Sequence, residues 1–287
     1  MMAFAKLLPR AWLGAGLQIG LSRRDVAIVY RGPGRRAKSA LLAHRTTTGH
    51  GAMEVQELIA RCAALLAGVD CANLPVRVVV ADDWTRLFMA EPPRNARRMQ
   101  DLQAAAAMRF LALYGEAPAE WELRGDWRVG ASFPVCAMPR ALLAALDQIA
   151  GDHKLRLVSL QPYFISAWNR YARLLPTGAW FGAVQGDSLM LGVVADGSQR
   201  RLQAVRRIAI PADGHGLPWL QEQLARTALQ LSLPAPPQLC LSGNRERFWI
   251  ASAALGTPVV LNLDQARTDD AIASSPAIVL ADTGLPS

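Results

Sequence analysis

The sequence lacks the features that mark several large classes of protein. No apolar run reaches the roughly 18–20 residues needed to span a bilayer, and lysine, arginine and proline interrupt the apolar N-terminal segment. That segment has no cleavage site of the Ala-x-Ala type, so we expect neither a membrane span nor a secretory signal peptide. Hydrophobic residues make up 52% and charged residues 19% of the 287 residues. This composition is typical of a packed globular protein and excludes a disordered one.

The four cysteines are too scattered to indicate a disulfide framework or a zinc site. The sequence has no Cys-x-x-Cys pair and no combination of cysteine and histidine at zinc-ligand spacing. His50 and His215 each lie between two glycines with no second ligand nearby, which is typical of surface loops. Isolated cysteines are usually small core residues. We therefore expect no metal site and a reducing, cytoplasmic compartment.

The common catalytic motifs are missing as well. The sequence has no Walker A pattern, no Gly-x-Gly-x-x-Gly followed by an acid, no His-Glu-x-x-His and no Gly-x-Ser-x-Gly. Asp82 and Asp83 are adjacent at the end of a predicted strand, where neighbouring side chains point to opposite faces. We interpret them as the end of a strand and the start of a turn, rather than as an acid–base or metal pair.

Positive charge is in excess. The chain has 31 lysines and arginines against 23 acidic residues, a formal net charge of +8. Clusters such as Arg35, Arg36 and Lys38 attract nucleic acid or an anionic membrane surface. No basic motif with interleaved aromatic residues, of the kind found in nucleic-acid modules, is present. We predict no nucleic-acid partner, while a basic binder of nucleic acid or of a membrane surface stays an alternative function.

Two similar strand–turn–strand patterns lie about 160 residues apart. The first runs from Leu13 to Tyr30 and the second from Trp180 to Gly197, and each reads as an apolar strand, a glycine-bearing turn and an apolar strand. Two such hairpins indicate a duplicated scaffold. The actin-like, ribonuclease H-like α/β fold has this layout, with one phosphate-binding hairpin in each of its two lobes.

Both hairpins lack the carboxylate that such phosphate hairpins normally carry in an Asp-x-Gly sequence. That carboxylate holds Mg²⁺ beside the phosphates. The first hairpin has Gln18-Ile19-Gly20 instead, and the second has no carboxylate between Trp180 and Gly186. Gly20 still permits backbone amides to approach a phosphate, but we prefer the interpretation that the glycines serve a turn and tight packing. The predicted degenerate nucleotide site consists of Gln18, Gly20, Ser22, Gly186, Asp187 and Gly243.

The predicted elements divide the chain into three parts. Residues 1–83 and 151–176 form a split first lobe, residues 84–150 an inserted α/β subdomain, and residues 177–287 a second lobe. The valines of Val76 to Ala81 predict a central strand buried on both faces. Helices are predicted over Met53–Ala67, Asn95–Tyr114, Pro139–Ala150, Tyr163–Leu175, Leu217–Leu231 and Arg245–Leu255. Strands of the insertion are predicted over Thr85–Met89, Trp121–Leu123, Trp127–Val129 and Ser132–Ala137.

Several of these segments resemble a known family. Val78 to Phe88 looks like the strand that leads into the family's inserted subdomain, and Asp101 to Gly115 like the first helix of that subdomain. Leu241 to Asn244 resembles an adenosine-side glycine loop, and Ala281 to Leu285 a terminal alanine–glycine segment. In these segments and in the order of its elements, the chain is similar to the actin-like cytoplasmic assembly proteins PilM, of type IV pili, and GspL, of type II secretion.

The resemblance implies a cytoplasmic adaptor at the inner face of the bacterial inner membrane. Its partner would be a PilN-like or GspL/GspM-like membrane protein with a single span, and a homodimer is possible. In PilM-like proteins the partner's peptide lies between the core of the first lobe and the inserted subdomain. By resemblance, the partner-binding residues here are Trp84, Arg86, Phe88 and Arg140. The basic residues Arg35, Arg36 and Lys38 would then face the anionic leaflet.

The departures from Asp-x-Gly bear on the activity that this resemblance implies. PilM retains nucleotide-site residues and binds ATP, whereas Gln18 here is a poor Mg²⁺ ligand beside a carboxylate. We therefore predict a protein that is not an enzyme and that has no cofactor. An active actin-like protein that binds ATP and Mg²⁺ is the alternative.

Overall fold

A computed structural model describes residues 15–32, 39–46, 54–195, 201–211, 216–243 and 259–263, together with residues 277, 280 and 281. These residues fall into two compact units. The first contains the described residues up to Ser166 and again from Ile272 onward, and the second contains those from Ala167 to Ala271.

The described residues form strands β1 (Gly16–Leu21), β2 (Asp25–Arg31), β3 (Ser39–Thr46), β4 (Pro75–Val80), β5 (Arg86–Ala90), β6 (Trp121–Gly125), β7 (Phe133–Pro139), β8 (Arg156–Pro162), β9 (Trp180–Gln185), β10 (Ser188–Ala195), β11 (Arg201–Ala209), β12 (Gln238–Gly243) and β13 (Val259–Asn262). They also form helices α1 (Val55–Leu66), α2 (Met99–Tyr114), α3 (Arg140–Asp152), α4 (Tyr163–Tyr171) and α5 (Leu217–Leu231). The predicted helix over residues 245–255 lies outside the described residues.

The two units contain sheets of the same topology. The first sheet has the order β3-β2-β1-β4-β8 and the second the order β11-β10-β9-β12-β13. In each sheet the central strand, β1 or β9, pairs antiparallel with the hairpin strand that follows it and parallel with the strand on its other side. The duplicated scaffold predicted from the two hairpins is therefore confirmed.

The central strands are buried because each is covered on both faces. In β4, Val76, Val78, Val79 and Val80 are all buried, as the valine run predicts. Arg77 is the exception: it sits in the middle of the strand and is half-buried. The prediction of a strand buried on both faces was wrong at this residue, and β4 carries a cation on one face of the sheet.

A small sheet of order β5-β7-β6 lies between the strands of the first unit in sequence, and α2 packs against it. Its core contains four buried aromatic residues, Phe88, Phe110, Trp121 and Phe133, packed with alanine, valine and leucine side chains. Helix α3 contacts α1 and β8 as well as β7, so it joins this subdomain to the first sheet.

Two predicted features of the insertion were wrong. Residues 127–129 do not form a strand, and Trp127 packs its ring against Phe133 with ring centroids 5.6 Å apart. Helix α2 begins at Met99 and is not capped by Asn95. Instead, the Asp101 carboxylate accepts hydrogen bonds from the backbone N–H groups of Arg97 and Arg98, each at 3.0 Å, which satisfies amides that the first turn leaves unpaired. The same two bonds lower the pKa of Asp101.

Candidate functional site

Ser22 closes the turn of the first hairpin. The backbone N–H groups of Arg24 and Asp25 donate to its Oγ at 3.1 and 2.9 Å, and its own N–H donates to the Asp25 carbonyl at 2.9 Å. These bonds fix the reversal between β1 and β2 without a glycine in the turn. The Ser22 hydroxyl is thus committed to the hairpin's own geometry.

Gln18 occupies the position at which an Asp-x-Gly hairpin carries its carboxylate, and it is buried. Only 1% of its surface is exposed, and neither Oε1 nor Nε2 has a hydrogen-bond partner in the part of the chain that the structure describes. Because β1 alternates its side chains, Gln18 shares a face of the first sheet with Gly16 and Gly20. We call this the glycine face.

At Gly20 another part of the backbone lies so close to the glycine face that there is no room for a side chain. Three residues near the C-terminus are helical and buried: Ala277, Leu280 and Ala281. We call them the C-terminal helical segment. A Cβ atom at Gly20 would overlap the carbonyl oxygen of Ala277 and lie 2.7 Å from the backbone nitrogen of Ala281. The glycine face at Gly20 is therefore covered by backbone of the protein itself, which is the packing role that we preferred from the sequence.

The second hairpin turns through the two residues Gly186 and Asp187. Gln185 and Ser188 pair across the turn, and Gly186 has a φ of +54°, a left-handed conformation that favours glycine. The Asp187 carbonyl accepts a hydrogen bond from the N–H of Ile210 at 2.8 Å. Asp187 is thus a turn residue, two positions beyond the end of the strand.

Gly243 lies at the same end of the second sheet as that turn. It is the last residue of β12, it pairs in register with Val184, and its φ is +126°, which only glycine adopts readily. The structure therefore brings Gly186, Asp187 and Gly243 together within the second unit, as it brings Gln18, Gly20 and Ser22 together within the first.

Trp84 lies at the start of the insertion and is held by a residue of the first hairpin. It is the last residue of a short 3-10 turn that begins at Asp82, which confirms the interpretation of the two aspartates as a turn. Only 5% of Trp84 is exposed. The Arg23 guanidinium stacks over its ring at 4.6 Å and pairs with the Asp83 carboxylate at 3.2 Å. This contact links the hairpin of the first lobe to the insertion.

Asp82, just before the insertion, connects the end of β4 to α4, a role that sequence reasoning did not find. Its two carboxylate oxygens accept the backbone N–H of Phe164 at 3.0 and 3.1 Å. The negative charge thus sits at the N-terminus of α4, where unpaired amides and the helix dipole stabilise it. No local pattern signals this contact, because the partners are 82 residues apart.

Arg86 lies within a cluster of the insertion. Its guanidinium stands 5.6 Å from the Tyr114 ring and 5.2 Å from the Trp121 ring, and it pairs with the Glu116 carboxylate at 3.1 Å. Burial raises the pKa of the Tyr114 hydroxyl. Phe88, two residues further along β5, is only 3% exposed and belongs to the aromatic core. Replacing Phe88 with alanine would therefore destabilise the fold, so weaker partner binding by that variant would not identify a direct contact.

Arg140 begins α3 beside the same small sheet. Its Nε donates to the Ala119 carbonyl at 3.0 Å, and its Nη1 pairs with Glu122 at 2.7 Å. Strands β5 and β7 pair with Arg86 opposite Ala137, so β5, which carries the predicted partner-binding residues Arg86 and Phe88, lies beside the strand that leads to Arg140. Glu116 and Glu122, which sequence reasoning missed, supply the negative charges of this region. The predicted basic residues Arg35, Arg36 and Lys38 lie outside the described residues.

The described residues offer no group of three or more histidine, cysteine or acidic side chains arranged to hold a metal ion. Across the same residues, none of the helices is long and apolar enough to cross a membrane.

Comparison with known proteins supports the fold at low sequence identity. No protein-family model matches the sequence, and a search of curated proteins finds no relative. A chain of the PilM–PilN type IV pilus biogenesis complex superposes with a TM-score of 0.60 and 16% identity, over 97% of this chain and 100% of that one. The cytoplasmic domain of EpsL, an inner membrane component of the type II secretion system of Vibrio cholerae, gives a TM-score of 0.53 and 12% identity, over 94% of each chain.

A third solved structure has a similar fold at low sequence identity. A Bacteroides thetaiotaomicron protein with an actin-like ATPase fold and unknown function gives a TM-score of 0.57 and 12% identity, over 87% of this chain and 91% of that one. The fold class predicted from the two hairpins is confirmed: the chain has an actin-like fold.

Proposed function

We propose that this protein is a non-catalytic adaptor in the inner-membrane assembly platform of a type IV pilus or of a type II secretion-like system. It works in the cytoplasm, at the membrane, by binding the cytoplasmic segment of a membrane partner. The observation that carries the proposal is the correspondence, over 97% of this chain, with a chain of the PilM–PilN complex. The similar cytoplasmic domain of EpsL supports it, because EpsL is described as an inner membrane component.

The two hairpins support the non-catalytic part of the proposal. Gln18 is neutral and buried where a metal-binding carboxylate would be needed, and backbone of the C-terminal helical segment covers Gly20. In the second hairpin β9 carries no acidic residue, and Asp187 lies in the turn. Neither β1 nor β9 therefore supplies a carboxylate to hold Mg²⁺ beside a triphosphate.

The outer edge of β5 supports a location for the partner. Among the described residues β5 pairs only with β7, so its other edge presents backbone N–H and C=O groups to an added strand. Leu87 and Met89 are partly exposed on the face of β5 opposite Phe88. We propose that an extended segment of the partner pairs with this edge. Its apolar side chains would contact Leu87 and Met89, and its charged side chains would contact Arg86 and Arg140.

Calorimetric titration with the cytoplasmic segment of a PilN-like membrane protein from the same organism tests the proposal. We expect saturable binding to the wild type, and binding at least about tenfold weaker, roughly 1.4 kcal/mol, in the double variant Arg86→Ala/Arg140→Ala. Arg128→Ala is the matched control, because Arg128 forms an ion pair with Asp126 in the same subdomain at 2.8 Å.

Two results would count against parts of this account. No binding by the wild type would overturn the adaptor function. If the double variant binds as tightly as the wild type and has the same melting temperature, the partner does not bind at the β5 edge. The adaptor function would then depend on another surface.

A further inference from the structure

Helix α2 of the insertion is apolar on two opposite faces. Its buried face carries Leu102, Ala106 and Phe110 at intervals of four residues and packs into the core of the small sheet. The rest of the helix adds little polarity, because Arg109 is its only charged residue between Leu102 and Tyr114. A helix that is apolar all round is normally buried all round.

The second apolar face of α2 is exposed. It contains four exposed residues that lie on the side of the helix opposite the core, and we call it the outer face of α2: Ala104, Met108, Leu111 and Ala112. Met108 is 74% and Leu111 is 51% exposed. Four of the ten large hydrophobic residues that are exposed in the described part of the chain lie on α2, so this helix is where uncovered apolar surface is concentrated.

The charges at the two ends of α2 have opposite signs. Arg94, Arg97 and Arg98 are exposed at its N-terminal end, and none of them forms an ion pair within the described part of the chain. Its last turn has no basic residue, and Glu120, exposed shortly after it, is likewise unpaired among the described residues. Apart from the capping Asp101, this is the reverse of the order that the helix dipole favours.

A second, antiparallel copy of α2 suits both the outer face and the charged ends. With a two-fold axis through Met108, Ala104 of one copy faces Ala112 of the other, and these small side chains let the two helices approach closely. The arginines at the N-terminus of each helix then lie beside the C-terminus of the other helix and its Glu120, where cations are favoured.

We propose that two copies of this protein associate through the outer face of α2, as a symmetric antiparallel pair of helices. A pair of 16-residue helices covers less than the roughly 1,200 Å² of a standard interface, so we expect a weak dimer with a dissociation constant of about 10–100 μM. An anionic membrane surface suits this helix less well, because it would repel the acidic end. The proposal goes beyond the adaptor function and is independent of it, since it needs neither a membrane partner nor the β5 edge.

Sedimentation velocity of the full chain, from about 5 to 500 μM, tests the proposal. We expect a monomer–dimer equilibrium in the wild type. Met108→Glu should weaken it at least about tenfold, because two carboxylates would face each other at the two-fold axis. Leu229→Glu is the matched control: it places the same charge at a leucine of α5 that is 80% exposed, and it should dimerise like the wild type.

A charge exchange tests the antiparallel arrangement. Arg97→Glu should weaken the dimer about threefold to tenfold, because it removes two symmetric attractions and sets like charges together. The double variant Arg97→Glu/Glu120→Arg should recover the affinity to within about threefold of the wild type, since the exchanged charges pair again between the copies. All of these side chains are exposed, so each variant should keep the wild-type melting temperature.

Three results would overturn the proposal. The first is a wild type that stays monomeric over the whole range, and the second is equal dimerisation of Met108→Glu and Leu229→Glu. The third is a double variant no stronger than Arg97→Glu, which would exclude the antiparallel pair. If the wild type stays monomeric and Met108→Glu loses binding to the PilN-like cytoplasmic segment, the outer face of α2 belongs to the membrane partner. The adaptor function would then stand without the dimer.

Discussion

The two hairpins share one backbone plan, and each differs in its own way from a phosphate hairpin with an Asp-x-Gly carboxylate. In the first, a polar residue, Gln18, replaces the carboxylate and stays buried. In the second hairpin, β9 has no acidic residue, and the nearest aspartate, Asp187, lies in the turn. Both sheets nevertheless keep the same strand order. The comparison teaches that the scaffold depends on strand pairing and core packing, and not on the residues that would bind a nucleotide.

The hairpins also differ in what packs against their glycines. Gly20 meets backbone atoms of the C-terminal helical segment, whereas a Cβ atom at Gly182 would meet the side chains of Leu241 and Leu189, at 2.5 and 3.1 Å. Backbone cannot move aside without displacing a whole segment, while leucine side chains adjust by rotation. The first hairpin is therefore the more constrained of the two.

The largest effect that we expect comes from a charge in the centre of the first sheet. Val79→Asp would place a carboxylate on a strand residue that is 2% exposed, at a cost of several kcal/mol, comparable with the roughly 5–15 kcal/mol that stabilises a whole domain. We expect no soluble folded protein. Leu42→Asp, on the exposed edge strand β3, is the control and should express normally. A soluble Val79→Asp protein with wild-type circular dichroism would show that β4 is not a central strand.

Glycine substitutions test the difference between the hairpins directly. We expect Gly20→Ala to cost about 3 kcal/mol or more and Gly182→Ala about 1–2 kcal/mol, because overpacking against backbone relaxes less than overpacking against side chains. Denaturant unfolding of both variants measures the two free energies. Equal costs, or a greater cost at Gly182, would contradict the contact of the C-terminal helical segment with β1.

The contact of Arg23 with Trp84 is expected to contribute less. Arg23→Ala removes the stacking on the indole ring and the ion pair with Asp83, both partly exposed to solvent, and should lower the free energy of unfolding by about 1 kcal/mol. Arg24→Ala changes the neighbouring exposed arginine and should have almost no effect. If the two variants have the same stability, Arg23 does not couple the hairpin to the insertion.

The smallest expected effect concerns the cysteines, which are free and buried in both units. Burial raises the pKa of the Cys62 thiol to about 12 and that of Cys240 to about 11, so both thiols stay protonated at pH 8, and the reactive thiolate is nearly absent. We expect no reaction with a disulfide reagent at pH 8 until the protein is unfolded, when all four thiols should react. Rapid labelling of a thiol in the folded protein would show that the core around that cysteine is accessible to the reagent.

Periodicity and turn residues were enough to predict most of the elements. Helix α5 begins and ends at the predicted residues because Gly216 precedes it, Pro218 stands in its first turn and the chain turns at Ser232. The contacts of the candidate sites were not predictable in the same way. Asp82 caps a helix that begins far along the chain, and Arg23 stacks on a residue of the insertion. Such contacts depend on how the elements pack, and no local pattern carries them.

Calorimetric titration of the wild-type protein with Mg²⁺–ATP tests the proposed non-catalytic function most directly, because neither β1 nor β9 carries a carboxylate that could hold the metal. Titrations with ATP alone and with Mg²⁺ alone are the controls. The account predicts no saturable heat at sub-millimolar nucleotide. Saturable binding in that range that requires Mg²⁺ would show that another residue holds the metal, and it would contradict the account.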